Sequence, residues 1–117
     1  MKIYTASKTK HADKWRNLRL KHPVTATWID EAGEGQTADR SELATRCVTE
    51  IAQSDFLLFY CERDEIPKGA LIEAGIALAL HKQVRFVGFL SEAVRSVFCE
   101  HPLWRHFVTI DEAINAK

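Results

Sequence analysis

The most apolar stretch of the chain, residues 68–81, predicts a buried helix that contains one carboxylate. Alanine, leucine, isoleucine and glycine fill it, and its one charge between Lys68 and His81 is Glu73. A helix that is apolar around nearly its whole circumference is normally buried, and an ionised carboxylate in such a helix is costly unless it is paired or used. Two interpretations follow: a carboxylate presented to a small ligand, or a buried glutamate tied to an arginine or to backbone amides.

The direction of Glu73 can also be predicted from helix geometry. Gly69 lies one turn before Glu73 on the same face, so the carboxylate faces a position that has no side chain. Helical side chains lean toward the N-terminus of the helix. Glu73 is therefore expected to point toward the loop that enters the helix.

The rest of the chain alternates between strand patterns and helix patterns. Residues 56–61 form an unbroken apolar run, as is typical of a central parallel strand. Asp39 or Ser41 is a candidate cap for a helix that reaches Gln53. The predicted strands are 2–5, 24–29, 56–61, 84–89 and 107–110, and the predicted helices are 8–22, 39–53 (with Leu43, Cys47, Val48 and Ile51 inward), 68–81, 91–98 and a last one capped by Asp111.

Alternating strands and helices imply an α/β domain whose parallel sheet is covered on both faces. Residues 1–117 have the length of one domain with one core. Ligands of such sheets bind beyond the carboxyl ends of the strands, where residues 6–8, 30–37 and 62–67 form loops. Because Glu73 follows the third of these loops, its carboxylate is expected to face the cleft.

Composition excludes several classes of function. Sixteen basic and sixteen acidic residues balance, so no basic excess indicates a nucleic acid polymer. No apolar run is long enough for a signal peptide or a membrane span. The three cysteines and five histidines have no metal or redox spacing. We expect a cytoplasmic protein with reduced thiols that needs no metal and no organic cofactor.

Three segments together resemble the nucleoside 2-deoxyribosyltransferase family. They are KIYTAS at 2–7, Ser54-Asp55 at the start of a central strand, and GALIEAGIA at 69–77. The family includes 2'-deoxynucleoside 5'-phosphate N-hydrolases and many short phage and prophage members. The resemblance implies a flavodoxin-like three-layer sandwich with a five-stranded parallel sheet. It also implies a deoxynucleoside or deoxynucleotide substrate and a homodimer or higher homo-oligomer.

The resemblance also suggests roles for two residues. Glu73 matches the family's nucleophile, which attacks the anomeric carbon and forms a covalent deoxyribosyl-enzyme. A second base resolves that ester in a transferase, and water resolves it in a hydrolase. Tyr4 matches the family's tyrosine, whose hydroxyl orients the carboxylate. A packed aromatic residue on a strand is the competing interpretation of Tyr4.

One departure from the family concerns its acids. The transferases have an aspartate shortly before the nucleophile, but this chain has Asp64-Glu65-Ile66-Pro67 there. Asp64 or Glu65 could serve from the loop, or both could be solvated charges. Asp30, after the second predicted strand, is a substitute polar group for the cleft, and a plain strand-end turn is the alternative.

Two loops are candidates for phosphate chemistry. Ser7 and Lys8 could bind a 5'-phosphate with the next helix N-terminus, or they could be a capping serine and a solvent lysine. Residues 33–38 match a degenerate dinucleotide fingerprint, which we discount because it belongs after the first strand. We interpret that loop as one that closes over substrate or as an ordinary connection.

Two other functions remain open at this point. One is a non-catalytic nucleotide-binding module of the same fold, which the unmatched aspartate favours. The other is an NAD-cleaving glycohydrolase, because some flavodoxin-like domains of the Toll/interleukin-receptor type also place a glutamate on a helix beside the nucleotide.

Overall fold

The computed structural model describes residues 1–32 and 39–117, so the fingerprint-like loop at 33–38 lies outside the described residues. The strands are β1 (Ile3–Ala6), β2 (Phe56–Cys61), β3 (Gln83–Gly88) and β4 (Trp104–Phe107). The α-helices are α1 (Ala12–Arg19), α2 (Arg40–Gln53), α3 (Lys68–Ala79) and α4 (Ile110–Asn115). Three 3-10 turns occur at Thr9–His11, Trp28–Asp30 and Val97–Glu100. No helix in the described part of the chain is long and apolar enough to cross a membrane.

The described strands form one parallel sheet in the order β1-β2-β3-β4, which confirms the predicted α/β class. The predicted number of strands is wrong, because this sheet has four strands rather than five. Residues 24–29 make only one parallel bridge, between Val24 and Ile3. That bridge lies on the side of β1 where the second strand of a flavodoxin-like sheet belongs.

A side chain from another helix explains why this strand stops. After the bridge, the carboxylate of Glu50 accepts a hydrogen bond from the backbone N–H of Thr27 at 2.9 Å. A backbone donor engaged in this way is lost to a strand ladder. The chain then turns into the 3-10 helix Trp28–Asp30, where the indole N–H of Trp28 donates to the Thr5 carbonyl at 2.8 Å.

The helices cover both faces of the sheet. On one face Tyr4 contacts Glu73 of α3, and α2 packs beside α3. On the other face Tyr60 contacts Trp15 of α1, and Arg85 donates to the Ala113 carbonyl of α4 at 2.7 Å. The core between these layers is made of buried aliphatic and aromatic side chains such as Phe59.

Helix α2 begins where the sequence predicts, because the Asp39 carboxylate accepts from the Glu42 N–H at 2.9 Å. Its inward face is narrower than predicted, since Val48 is 45% exposed. Helix α4 is capped by Thr109 rather than Asp111.

The strand and helix predicted near the C-terminus are misplaced. The last strand is Trp104–Phe107 rather than 107–110, and no α-helix covers residues 91–98. This strand, β4, lies at one edge of the sheet, and Trp104 is the only one of its four residues that is buried. Trp104 stacks on Phe86 of β3, with 5.8 Å between the ring centroids.

Helix α3 is less buried than its apolar sequence predicts. Its buried side chains are Ala70, Ala74, Ala77 and Leu78. The opposite side is open, and Ile72 is 67% exposed. The prediction of a helix buried around nearly its whole circumference is therefore wrong for the single chain, because only one face of α3 meets the sheet.

The end of β3 allows a test of the fold. Gly88 has φ +119°, and a Cβ added there would lie 1.9 Å from the carbonyl oxygen of Cys61. We expect Gly88→Ala to lower the free energy of unfolding by about 3 kcal/mol, as measured by urea denaturation. The matched control is Gly75→Ala in α3, where nothing lies within 4 Å. Helix propensity predicts a gain of about 0.5–1 kcal/mol there, and equal effects of the two substitutions would contradict this account.

Candidate active site

The first strand and the third helix meet at Tyr4 and Glu73. Tyr4 is fully buried in β1, and its phenolic O–H donates to Oε2 of Glu73. Glu73 is half-buried in the second turn of α3. No arginine or lysine in residues 1–32 and 39–117 pairs with Glu73. The pairing with an arginine that the sequence left open is therefore not found in the described structure.

The surroundings of Glu73 resist its ionisation. Burial raises the pKa of Glu73 to about 7, and the negative charge of Glu50 adds to this rise. The hydrogen bond from Tyr4 acts in the opposite direction and lowers the pKa. Burial and the Glu73 charge raise the pKa of Tyr4 well above its usual value. At neutral pH the pair therefore consists of a phenol that donates and a carboxyl group close to its titration midpoint.

A cleft of about 900 Å³ opens beside Glu73. Residues of α2 and α3 line much of this cleft, and the rest of its lining is formed by residues such as Ser7, Lys8, Thr9 and Trp28. The lining from α2, from α3 and from the two residues before α3 is mostly apolar: Leu43, Ala44, Cys47, Val48, Ile66, Pro67, Gly69, Ala70, Ile72 and Ile76. A charge in such surroundings interacts more strongly with its neighbours than it would in water.

Two of the predicted binding residues line this cleft. Gly69 lies there, and a Cβ at its position would meet nothing within 4 Å. Ser7 lies there too, but its hydroxyl donates to the Lys8 carbonyl at 2.9 Å and accepts from the indole of Trp15 at 2.8 Å. Both bonds hold the turn after β1, so Ser7 has a structural role in addition to any contact with a ligand.

The structure does not bring Asp30 to this cleft. The carboxylate of Asp30 pairs with the guanidinium of Arg19 at 2.8 and 2.9 Å. That ion pair lowers the pKa of Asp30, and the residue borders a different cavity of about 540 Å³. The expectation that Asp30 faces the cleft fails because the strand that would have aimed it there stops at one bridge.

Asp64 and Glu65 also lie away from the cleft lining. Asp64 is exposed and has φ +70°, as in a tight turn. The Glu65 carboxylate is bound by Lys10 at 3.2 Å and by His11 at 2.8 Å. These contacts attach the loop before α3 to the segment before α1, and they leave the cleft without a second carboxylate from this loop.

One group among the described residues could hold a metal ion. It consists of His11, Glu62 and Glu65, whose possible ligand atoms all lie within 4.8 Å of one another. The Glu62 backbone N–H also donates to Glu65, at 2.8 Å. Glu65 is thus already satisfied by Lys10, His11 and this amide.

Sequence reasoning missed several residues of the cleft. Cys47 is half-buried, lines the cleft and contacts the Tyr4 hydroxyl. Helical spacing predicted that Cys47 points inward but gave no sign that it lies beside Tyr4. Arg40 and Lys68 also line the cleft. Each is an ordinary cation in the first turn of a helix, and no local pattern distinguishes it from a solvated one.

The raised pKa of Glu73 leads to a stability prediction. Between its ordinary value of 4.5 and its folded value of about 7, the unfolded chain ionises this group and the folded chain does not, so rising pH destabilises the fold. Glu73→Gln removes that cost and should raise the free energy of unfolding by about 2 kcal/mol at about pH 8, with no gain at about pH 4.

Urea denaturation at both pH values measures this effect, and exposed Glu92→Gln is the control. A gain in the free energy of unfolding of Glu73→Gln that is equal at the two pH values would contradict a raised pKa of Glu73 in the folded protein.

The fold can now be compared with known proteins. No protein-family model matches the chain, and no curated protein matches it by sequence. A 2-deoxyribosyltransferase from Bacillus psychrosaccharolyticus has a similar structure, with 20% sequence identity and a TM-score of 0.74 over 100% of this chain and 93% of that chain. A CMP N-glycosidase from Clostridium botulinum is similar with 15% identity and a TM-score of 0.61, over 92% of this chain and 85% of that chain.

Both of these proteins have the fold of the nucleoside deoxyribosyltransferase-like enzymes. The resemblance that the sequence suggested is therefore confirmed at the level of the fold: this chain has the α/β fold of the nucleoside deoxyribosyltransferase-like enzymes.

Proposed function

We propose that this protein cleaves the N-glycosidic bond of 2'-deoxynucleosides or their 5'-monophosphates, or transfers the deoxyribosyl group between bases. The observation that carries the proposal is the hydrogen bond between the buried Tyr4 and the half-buried Glu73, beside a cleft of about 900 Å³. The fold supports it, because the similar structures are those of a 2-deoxyribosyltransferase and a CMP N-glycosidase.

In the proposed reaction, an ionised oxygen of Glu73 attacks C1' of the sugar. The new C1'–O bond forms as the bond from C1' to the base nitrogen breaks, and the base leaves with that electron pair and takes up a proton. Water, or the N–H nitrogen of a second base, then attacks C1' and releases its proton to the solvent, and the Glu73 carboxylate leaves as the ester C1'–O bond breaks. The same ionised oxygen stabilises the positive charge that develops on the sugar in the transition state.

Tyr4 has the role of a positioning residue in this mechanism. Its O–H holds one carboxylate oxygen, which fixes the orientation of the other oxygen toward the cleft. The same bond lowers the pKa of Glu73 and so increases the ionised, nucleophilic fraction at neutral pH.

A non-catalytic nucleotide-binding module is the second candidate, and one observation favours it. Among the described residues, Glu73 is the only acid that lines the cleft. The leaving base then has no carboxylic acid beside it to supply a proton. Binding of a nucleotide without release of its base would support this second candidate.

The test is an incubation with a panel of deoxynucleosides, their 5'-monophosphates and NAD, with and without a second base. We expect release of free base or exchange of base from the deoxy compounds, and a loss of at least about a thousandfold in Glu73→Ala. The NAD arm tests for a glycohydrolase through release of nicotinamide. Absence of turnover across the deoxy compounds, or equal turnover by Glu73→Ala, would refute the proposal.

Tyr4→Phe distinguishes a role of the Tyr4 hydroxyl in positioning Glu73 from a role of the ring in packing. The substitution removes the hydrogen bond that lowers the pKa of Glu73, so the rise of kcat/KM with pH should shift to higher pH. A packing defect would lower kcat/KM without shifting the pH at which kcat/KM rises. The control Tyr60→Phe removes a hydroxyl that donates to Glu62 at 2.7 Å, away from the cleft lining, and should leave the pH of that rise unchanged.

We also propose that the open face of α3 pairs with a second copy of the chain. That face contains the exposed Ile72 and Gly75 and the partly buried Ile76, and two of these residues, Ile72 and Ile76, also line the cleft. A second copy seated there would cover apolar surface and narrow the opening of the cleft.

Ile72→Lys should therefore raise the monomer fraction, as measured by sedimentation equilibrium at about 10–100 µM. The control is Val108→Lys, because Val108 is 83% exposed and does not line the cleft. A wild-type protein that is monomeric over this range would contradict the proposed pairing.

A further inference from the structure

Trp28 is the aromatic residue of the cleft lining. Within residues 1–32 and 39–117 no other aromatic side chain lines this cleft, and Trp28 itself is 8% exposed. Its indole N–H donates to the Thr5 carbonyl at 2.8 Å, which fixes the polar edge of the ring against β1. Because this donor is already engaged, Trp28 offers a ligand in the cleft apolar ring surface rather than a hydrogen bond.

The position of Trp28 depends on the residue before it. Thr27 directly precedes the 3-10 helix Trp28–Asp30. Glu50 on α2 binds Thr27 with both carboxylate oxygens. Oε1 accepts from the Thr27 backbone N–H at 2.9 Å, and Oε2 accepts from its hydroxyl at 2.5 Å. Two bonds to one residue fix its backbone and its side chain together, so they set the direction in which the chain continues to Trp28.

Glu50 is a costly way to hold this segment. It is 7% exposed, and burial of a carboxylate is unfavourable unless its oxygens are hydrogen-bonded. A strand that continued along β1 would have satisfied the Thr27 N–H with a neutral backbone carbonyl instead. Arg46, one turn earlier on α2, supports this arrangement, because its guanidinium donates to the Thr27 hydroxyl at 2.7 Å. The chain thus buries a charged group at the point that sets the course of the cleft wall.

We propose that Glu50 is a positioning residue of this site, which holds Trp28 in the wall of the cleft so that the ring contacts the bound substrate. The inference rests on the proposed function for the identity of that substrate. Glu50 itself is not among the residues that line the cleft. It therefore acts through Thr27 and Trp28 and not by touching the ligand.

Glu50 also has an electrostatic effect that a purely structural residue would lack. In the described part of the chain, the titratable groups that interact with Glu73 are Tyr4 on β1 and Cys47 and Glu50 on α2. The charge of Glu50 raises the pKa of Glu73, whereas the hydrogen bond from Tyr4 lowers it. Glu50→Gln should therefore lower the pKa of Glu73, which is opposite to the shift expected of Tyr4→Phe.

The first test measures how firmly Trp28 is held. Hydrogen exchange of its indole N–H, followed by NMR, reports local opening of this segment. We expect Glu50→Gln to speed that exchange at least about tenfold, and the backbone N–H of the buried Leu58 in β2 to change less. The control is Glu42→Gln, which removes an exposed partner of Arg46 and should leave the exchange at Trp28 unchanged.

Two results of this test would overturn the inference. One is unchanged exchange at Trp28 in Glu50→Gln. The other is an equal increase at Trp28 and Leu58, because that is the result of a general loss of stability rather than of a released cleft wall.

The second test uses turnover of the deoxy compound that the wild-type protein cleaves fastest. At about pH 9, where Glu73 is ionised, Glu50→Gln should raise KM about fivefold and leave kcat nearly unchanged, because the substrate loses its contact with a fixed ring. In a Trp28→Leu background, shown by urea denaturation to be folded, Glu50→Gln should raise KM no further, since its effect passes through that ring.

The pH profile gives the matching electrostatic result. The pH at which kcat/KM rises should move downward in Glu50→Gln, and it should stay in place in Glu42→Gln. An undiminished effect on KM in the Trp28→Leu background, or a rise that does not move downward in Glu50→Gln, would contradict the proposed role of Glu50.

Two measurements that need no substrate distinguish failure of this inference from failure of the proposed function. They are the exchange at Trp28 and an NMR titration of the Glu73 carboxyl group. No release of base from any deoxy compound would refute the glycosidic chemistry, while faster exchange at Trp28 and a lowered pKa of Glu73 in Glu50→Gln would still support Glu50 as the residue that holds the cleft wall. Unchanged exchange and unchanged KM in Glu50→Gln would overturn the inference and leave the chemistry intact.

Discussion

The contact between Tyr4 and Glu73 connects the core of this protein to its cleft. Tyr4 is fully buried in β1, and its hydroxyl is directed to the carboxylate on α3. Burial raises the pKa of Glu73 to about 7, so ionisation of this group near neutral pH costs the folded state free energy. Packing alone would be better served by a neutral side chain. A destabilising group kept beside a cleft is the kind of local conflict that occurs at functional sites.

The composition of α3 explains how this contact is possible. Its buried residues include three alanines, Ala70, Ala74 and Ala77, at helical spacing. Small side chains let the helix lie close to the sheet, which brings Glu73 within hydrogen-bond reach of a strand residue. Among its larger side chains Leu78 is also buried, whereas Ile72 is 67% exposed. One face of this apolar helix therefore packs on the sheet, and its opposite face is exposed.

The parts of the fold that could be predicted from sequence are those determined by local patterns. The apolar run at Phe56–Cys61 is the central strand β2 with the predicted bounds, and Asp39 caps α2 as an ordinary N-cap. Glu73 was identified from its lone charge in an apolar helix. Tyr4 was identified only through the family resemblance, because a tyrosine on a first strand has no distinguishing local pattern.

The errors come from contacts between residues that are distant in sequence. The second strand fails because Glu50, 23 residues later, takes the backbone N–H of Thr27. Asp30 is diverted by Arg19, 11 residues earlier, into an ion pair outside the cleft. Neither partner can be selected from spacing alone, since many acids and bases in this chain have similar local surroundings.

The proposed chemistry depends on two opposite effects on Glu73. Burial raises the pKa of its carboxyl group to about 7, and the charge of Glu50 adds to that rise. The hydrogen bond from Tyr4 lowers the pKa, so part of the carboxyl group is ionised at neutral pH. The apolar lining of the cleft strengthens the attraction between an ionised Glu73 and the positive charge that develops on the sugar in the proposed transition state. The surroundings that oppose the ionised carboxylate in the resting protein would therefore increase its effect during the reaction, and the tyrosine maintains the ionised fraction on which that effect depends.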